Sequence, residues 1–260
     1  MKNIIFFFTL ISILVLGCQS ETSKVEVDPF AHISEGKAKA LLQKGIEAAG
    51  GLDNWNNIKT LQFKKDYELF LEDGLVERGA KQFHEYNFFP KTIKIESKEG
   101  ETQKDLFFED GKANQKVNGE INKEAKQESL MNSIYTSTFV IEIPFKFLDH
   151  GAEISHAGLD TLETGEAVEV LRVDYHPEKY NNLTTEDTWW LYFDQKDYRL
   201  HGYMVKHKDH HSYVQNLTTT TENGFLFPTH RKSYRVDTDR NILYLRAEYF
   251  YKNYAVEMLE

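Results

Sequence analysis

The chain has 260 residues, 40% of them hydrophobic, which is enough to bury the core of one or two domains. Aromatic residues make up 13% of the chain and favour β structure, because their side chains pack well on pleated strands. A net charge of −10 without a basic stripe argues against nucleic acid as a partner, because affinity for nucleic acid comes from neutralising phosphates.

Residues 1–17 have the pattern of a secretory leader, in which Lys2 is the basic region and an apolar run too short to span a bilayer comfortably follows. The run ends in Val15-Leu16-Gly17-Cys18, which resembles the lipobox of bacterial lipoproteins. The resemblance implies cleavage before Cys18 and acyl chains on its sulfur and its new N-terminus. Two or three chains anchor a protein stably, because each buried CH₂ contributes about 0.8 kcal/mol. An ordinary secretory signal with a chance cysteine is the alternative.

The residues after this cysteine suggest a location. Gln19 occupies the position where the sorting rules of such lipoproteins place Asp for retention in the inner membrane. The resemblance therefore implies the outer membrane of a Gram-negative bacterium, with the membrane itself as a partner through lipid on Cys18. Residues 18–33 are polar with one proline, and we expect them to form a lipidated tether.

The mature part begins with one predicted helix. Ser34 is placed to cap it, and Gly50-Gly51 ends it. Leu52, Trp55 and Ile58 indicate one more short helical turn. The apolar residues of the helix have the spacing i, i+3, i+4 and i+7, and they are Ala38, Leu41, Leu42, Gly45, Ile46 and Ala49.

From Lys59 onward the apolar residues recur with a period of two, which is typical of strands. Leu61, Phe63, Tyr67 and Leu69 alternate with polar neighbours, and Asp73-Gly74 is a strong hairpin signal. The pattern predicts four strands, at about 59–71, 75–88, 91–97 and 102–109. Two further turns are predicted at Asp110-Gly111 and Asn118-Gly119.

Residues 121–150 break the strand pattern. Leu130, Ile134 and Tyr135 have helical spacing, and Pro144 divides the segment, so we expect an insertion of two helical pieces. Strand alternation then resumes. Seven more strands are predicted, at about 152–158, 167–175, 186–194, 198–208, 211–221, 225–237 and 241–254.

The predicted fold class is therefore mainly β (α+β). Residues 34–260 form a single domain, with about eleven strands in a large antiparallel sheet, an N-terminal helix and the helical insertion to one side.

This order of elements resembles the LolA/LolB type of periplasmic lipoprotein carriers and outer-membrane lipoprotein receptors. The resemblance implies a curved, half-open antiparallel barrel that is closed by helices and holds acyl chains inside. The chain also looks like a family of lipoproteins from the Bacteroidetes. The stretches that carry this closer resemblance are Leu41 to Ile58, Ile143 to Ala152, Asp187 to Asp194 (DTWWLYFD) and Gly224 to Tyr234.

One strand gives independent support for an apolar interior. Residues 188–193 are apolar on both faces, whereas an antiparallel strand at a solvent surface has one polar face. Either a helix covers the second face, or the sheet curls around an apolar space with the insertion as its lid. A core filled by side chains explains the same residues without a ligand. The candidate ligand contacts are Trp55, Met131, Ile134, Tyr135, Phe139, Phe145, Phe147, Trp189, Trp190 and Tyr192.

Recognisable catalytic chemistry is absent from the sequence. His207, Asp209, His210 and His211 could suit a surface metal, but Lys208-Asp209 reads as a hairpin tip, so we expect a polar turn. No nucleophile elbow or phosphate-cradling loop occurs, and we predict no catalytic residue, no metal and no cofactor. The sequence favours a non-enzymatic envelope lipoprotein that binds or carries a lipophilic molecule. The alternatives are an envelope hydrolase and a structural or interaction lipoprotein of an outer-membrane assembly.

Overall fold

A computed structural model describes residues 28–149, 151–175 and 187–260 of the protein. Across these ranges one curved, open antiparallel sheet of thirteen strands dominates, which confirms the predicted mainly β, half-open barrel. In chain order the strands are β1 (Ile58–Phe70), β2 (Val76–Phe88), β3 (Lys91–Glu99), β4 (Thr102–Glu109), β5 (Lys112–Val117), β6 (Glu120–Ile121), β7 (Ala152–Thr161), β8 (Ala167–Tyr175), β9 (Thr188–Asp194), β10 (Leu200–Lys206), β11 (His211–Glu222), β12 (Phe225–Val236) and β13 (Ile242–Met258).

Two of these strands were not expected from the sequence. β5 and β6 follow the predicted turns at Asp110-Gly111 and Asn118-Gly119, whose residues all have positive φ angles, as two-residue hairpin turns require. The strands themselves are short and mostly polar. The residue types therefore predict the two turns, whereas the alternation of apolar and polar residues in the strands after them is too weak to predict a strand.

The strand order explains how the sheet becomes wide and curved. It runs β6-β5-β4-β3-β2-β1-β13-β12-β11-β10-β9-β8-β7, so two meanders join where β1 pairs with β13. The chain leaves one edge at β6 and re-enters at the opposite edge, β7. The segment between these strands must therefore cross one face of the sheet, and that face is the concave one.

The helices lie on this concave face. They are α1 (Gly36–Ala48), α2 (Leu52–Asn56) and α3 (Gln127–Glu142), followed by a 3₁₀ turn at Phe145–Leu148. The two pieces of the predicted insertion are α3 and the 3₁₀ turn. α3 continues through the β-branched Val140 and Ile141, because burial of Ile141 in the core outweighs its weaker helix propensity.

α1 buries the predicted stripe of Ala38, Leu41, Leu42, Gly45 and Ile46. The prediction that Ser34 caps this helix is wrong. The N-cap residue is Glu35, and its side chain makes no capping bond. Its carboxylate instead accepts a hydrogen bond from the backbone N–H of His156 on β7, at 2.9 Å, which ties the start of α1 to the sheet edge.

The end of the predicted tether packs on the domain. Phe30 and Ile33 are buried in the main core, and Asp28 forms an ion pair of 2.6 Å with Lys39 of α1. The leader and Cys18 lie outside the described residues, so lipid attachment stays a prediction. In the ranges that the structure covers, no helix is both long enough and apolar enough to cross a membrane.

A second, smaller core explains why β9 is apolar on both faces. Trp189 packs on the concave side against Phe139 of α3, so the neighbouring Trp190 and the buried Tyr192 point to the convex side. There Tyr192 is buried with Leu162 of the β7–β8 turn, and the guanidinium of Arg240 lies over its ring at 5.6 Å. Loops, and not a helix, thus cover the second face.

Candidate ligand cavity

The concave face is not completely filled. Beneath and beside α3 the structure contains a cavity of about 760 Å³ against β1–β5 and a second of about 370 Å³ against β9–β13. They adjoin, because Leu69, Thr136 and Tyr249 line both. Both volumes fall in the range of about 300–1,000 Å³ that is usual for ligand sites. We call them the polar cavity and the apolar cleft after the residues that line them.

The polar cavity is lined on its α3 side by hydroxyl and amide groups. Glu128, Ser129, Asn132, Ser133, Thr136 and Ser137 face it from the helix. The expectation of an apolar lid is therefore correct for only part of α3, and sequence reasoning missed this polar face. The missed signal was the spacing of Ser129, Asn132, Ser133 and Thr136, which recurs at i, i+3, i+4 and i+7.

The apolar cleft receives three of the predicted contact residues. Tyr135 and Phe139 line it from α3, and Trp189 lines it from β9. The rings of Phe139 and Trp189 stack with centroids 4.7 Å apart, and Tyr203 packs on the other side of Trp189 at 5.4 Å. Trp189 Nε1 is buried and has no hydrogen-bond partner in the part of the chain that the structure describes.

The remaining predicted residues lie elsewhere. Trp55 and Phe145 stack at 4.2 Å and plug the other end of the half-barrel, beside a gap of only about 40 Å³. Ile134 and Phe147 are fully buried in the core, and Met131 packs at its margin. Trp190 and Tyr192, on the convex face, line neither cavity. The structure thus places Tyr135, Phe139 and Trp189 on the wall of the apolar cleft and the other seven off it, with Phe147 packed in the core behind Phe139 and Trp189.

A lysine lines the polar cavity close to Tyr249, which borders both cavities. Lys65 of β1 lines the polar cavity, and its Nζ lies 5.2 Å from the centroid of the Tyr67 ring and 5.6 Å from that of Tyr249. Burial, together with the nearby charge of Arg231, lowers the pKa of Lys65 to about 8. Sequence reasoning missed this residue. The available signal was its place in the inward series Leu61, Phe63, Lys65, Tyr67, Leu69.

A buried arginine lies on β12 behind the same wall. Arg231 is only 3% exposed, and its guanidinium donates to Asn216 Oδ1 at 2.7 Å and to the carbonyl of Val140 at 2.9 Å. Its guanidinium carbon lies over the rings of Tyr251 at 5.6 Å and Tyr203 at 6.0 Å. Hydrogen bonds and ring faces hold this cation in place, and no carboxylate within the described ranges pairs with it.

His84 of β2 is completely buried below the polar cavity. Its Nε2 lies 3.1 Å from Gln82 Oε1, its Nδ1 lies 2.8 Å from the Tyr86 hydroxyl, and its ring stacks on Phe63. Burial, with a smaller contribution from Lys65, holds the pKa of His84 well below its usual value. His84 is therefore neutral in the folded protein at neutral pH.

This depressed pKa makes stability depend on pH. Below about pH 6.5 the unfolded chain takes up a proton at His84 that the folded chain does not, so the free energy of unfolding falls by up to about 1.4 kcal/mol per pH unit. We expect His84→Gln to have a shallower slope by one proton between pH 6.5 and 5. Urea titrations at several pH values measure both slopes. Equal slopes would contradict a neutral, buried His84.

Two histidines stand at the mouth of the apolar cleft. His207 Nδ1 lies 2.9 Å from Asp187, and His210 Nδ1 lies 2.6 Å from Asp209. The neighbouring Ser212 hydroxyl accepts from Arg235, and neither histidine bonds to a serine among the residues described. Over the same residues no group of three or more His, Cys, Asp or Glu side chains could hold a metal ion.

The fold is similar to solved structures, although the sequence is distant from them. No family model and no curated protein matches the amino-acid sequence. A LolA superfamily protein from Nitrosomonas europaea aligns with a TM-score of 0.48 and 9% identity, over 86% of this chain and 94% of that chain. An outer membrane lipoprotein-sorting protein domain from Vibrio parahaemolyticus aligns with a TM-score of 0.48 and 9% identity, over 85% and 92%. A DUF1329 family protein from Desulfovibrio piger has a TM-score of 0.52 at 9% identity, over 85% and 93%, and this likeness shows a shared fold.

Proposed function

We propose that this protein is a lipid-anchored envelope protein that binds and carries a lipophilic molecule on the concave face of its sheet, without catalysing a reaction. The observation that carries the proposal is the unfilled apolar cleft of about 370 Å³ between α3 and the sheet. Small-molecule sites are concave and are lined mainly by apolar and aromatic side chains with a few polar groups. A space of this size beside aromatic side chains therefore favours an apolar ligand over a simple packing core.

The position of α3 supports the same function. It is the only described connection between the two edges of the sheet, and it crosses the concave face as one helix. Its inward residues divide into the hydroxyl-rich set on the polar cavity and Tyr135, Phe139 and Val140 on the apolar cleft. An amphiphilic molecule with a polar end and an apolar chain matches this division.

A blocking substitution tests the proposal. Thr136 lines both spaces and is exposed, so Thr136→Trp should fill the junction without disturbing the core. With the full chain carrying Cys18→Ser, we expect saturable fluorescence of cis-parinaric acid or its methyl ester, and at least a tenfold loss of affinity in Thr136→Trp. Thr221→Trp is the matched control, because Thr221 is exposed on the convex face. If neither probe binds the unblocked chain, the carrier proposal is wrong.

The anchor has a separate test. We expect Cys18→Ala to shift the exported protein from the membrane fraction to the soluble or unprocessed form, because the acyl chains have no other predicted attachment site. Fractionation combined with metabolic labelling by a fatty acid measures both effects. Unchanged membrane recovery with retained label in the variant would contradict lipidation at Cys18.

A further inference from the structure

Two cations on the concave face have no opposite charge beside them. Lys65 and Arg231 make no ion pair within the ranges that the structure describes, whereas Lys104 and Arg246 on the cavity walls are paired with carboxylates. Removing a charge from water is costly unless an opposite charge or several hydrogen bonds replace the solvent. Arg231 donates two hydrogen bonds to oxygen atoms, whereas Lys65 donates none among the described residues.

The surroundings of Lys65 increase this cost. Among the described residues, the ring faces of Tyr67 and Tyr249 lie next to its ammonium. The positive charge of Arg231 repels it. Its depressed pKa reports the same shortage of compensation. Cation–π contacts are weaker than an ion pair and do not replace a counter-ion. An anion in the cavity would remove this imbalance.

The carboxylates on the cavity wall do not supply that anion. Glu99 is held by Lys104 at 2.7 Å, and Glu128 lies exposed near the start of α3. Arg78 and Lys126 also line the wall, so cations outnumber carboxylates there. The hydroxyls of Ser129, Thr136 and Ser137 on α3 face the same space and can donate hydrogen bonds to an anion.

Lys65 lies close to the apolar cleft, because Tyr249 separates its ammonium from that space. Tyr249 touches both spaces, and its ring is the one that lies 5.6 Å from Lys65 Nζ. A ligand with its charged end at Lys65 therefore has a continuous path for its chain past Tyr249 to Phe139 and Trp189. The cleft of about 370 Å³ is near the lower end of ligand-site volumes, which favours one acyl chain over a bulky lipid.

We propose that the ligand is an anionic single-chain amphiphile, whose carboxylate or phosphate headgroup is bound by Lys65 and whose acyl chain occupies the cleft between Phe139 and Trp189. This assignment rests on the carrier function proposed above. Lys65 makes the direct contact. Arg231 raises the positive potential behind it without lining the cavity itself.

A matched pair of probes tests the charge requirement. Cis-parinaric acid and its methyl ester share one chain and differ in headgroup charge. With the full chain carrying Cys18→Ser, we expect the acid to bind about 10- to 100-fold more tightly than the ester, as a charge-assisted hydrogen bond predicts. Lys65→Met should abolish that difference, and Lys65→Arg should keep most of it. Lys64→Met, on the exposed opposite face of β1, should leave it unchanged.

The outcomes separate the two proposals. Failure of both probes to bind overturns the carrier function itself. Two results would overturn the headgroup assignment and leave the carrier function standing. One is equal affinity of the acid and the ester for the chain that retains Lys65. The other is a preference for the acid that persists in Lys65→Met. Competition by palmitate and by lysophosphatidate then separates a carboxylate from a phosphate source, and displacement of the acid by either supports an anionic headgroup at Lys65.

Discussion

Phe147→Ala is expected to lower the free energy of unfolding by about 3–5 kcal/mol, because it empties a large, fully buried site. The Phe147 side chain has no exposed surface and packs edge-on to Phe139 at 5.6 Å and to Trp189 at 5.9 Å. It therefore links the 3₁₀ turn, α3 and β9. Loss of these contacts releases the C-terminal end of α3 from the wall of the apolar cleft.

Urea denaturation measures this effect as a lower transition midpoint at unchanged slope. Leu148→Ala is the control, since Leu148 is adjacent but only half-buried, and we expect it to cost about 1 kcal/mol or less. Similar losses for the two variants would mean that the 3₁₀ turn does not anchor α3. A lower slope in Phe147→Ala alone would show that α3 has already detached in the native state.

Lys65→Met is expected to have the opposite sign and to stabilise the unliganded protein. The pKa of Lys65 falls from its ordinary 10.5 to about 8, and each pKa unit corresponds to about 1.4 kcal/mol. Because the side chain keeps some access to solvent, we expect a gain of about 1–3 kcal/mol at pH 7. Met retains the length and apolar stem of Lys without its charge. The same variant should lose anionic ligand, which is the usual opposition between stability and function at a binding site.

The pH dependence gives this prediction a second test. The folded chain releases the Lys65 proton near pH 8, and the unfolded chain releases it near 10.5. The destabilisation by the Lys65 charge is therefore complete below pH 8 and disappears as the pH rises through 10.5. The gain in the free energy of unfolding from Lys65→Met should shrink over that interval. Thermal unfolding from pH 7 to 10 measures it, with Lys64→Met as the control. A constant advantage across this range would mean that something other than the charge of Lys65 is responsible.

Much of the fold followed from local patterns. Alternation in β1 to β4, the Asp-Gly and Asn-Gly turns and the buried stripe of α1 depend on residues a few positions apart, and the structure confirms them. The end of α3 near Glu142 followed from Pro144 in the same way. These features are local because steric limits on φ and ψ and side-chain periodicity act over one or two turns of chain.

The candidate site was harder to predict from the sequence. A two-faced apolar strand was read as a sign of an interior, but half of that signal came from Trp190 and Tyr192 in the second core on the convex face. Lys65 is one of the inward residues of β1, but its type alone predicts a solvent-facing position, because lysines are seldom buried. The polar stripe of α3 likewise reads as a solvent-exposed face until the sheet is seen beneath it.

The sequence alone determined which segments are strands and helices and which residues are apolar enough to form a core, because both depend on composition and short-range spacing. Only the tertiary structure decided that β1 pairs with β13, that α3 turns its hydroxyls toward a cavity, and that the charge of Lys65 is partly buried near that of Arg231. Those properties come from contacts between residues far apart in the chain. The burial of the Lys65 charge, on which its expected role depends, arises from such contacts. It therefore cannot be predicted from the spacing of neighbouring residues.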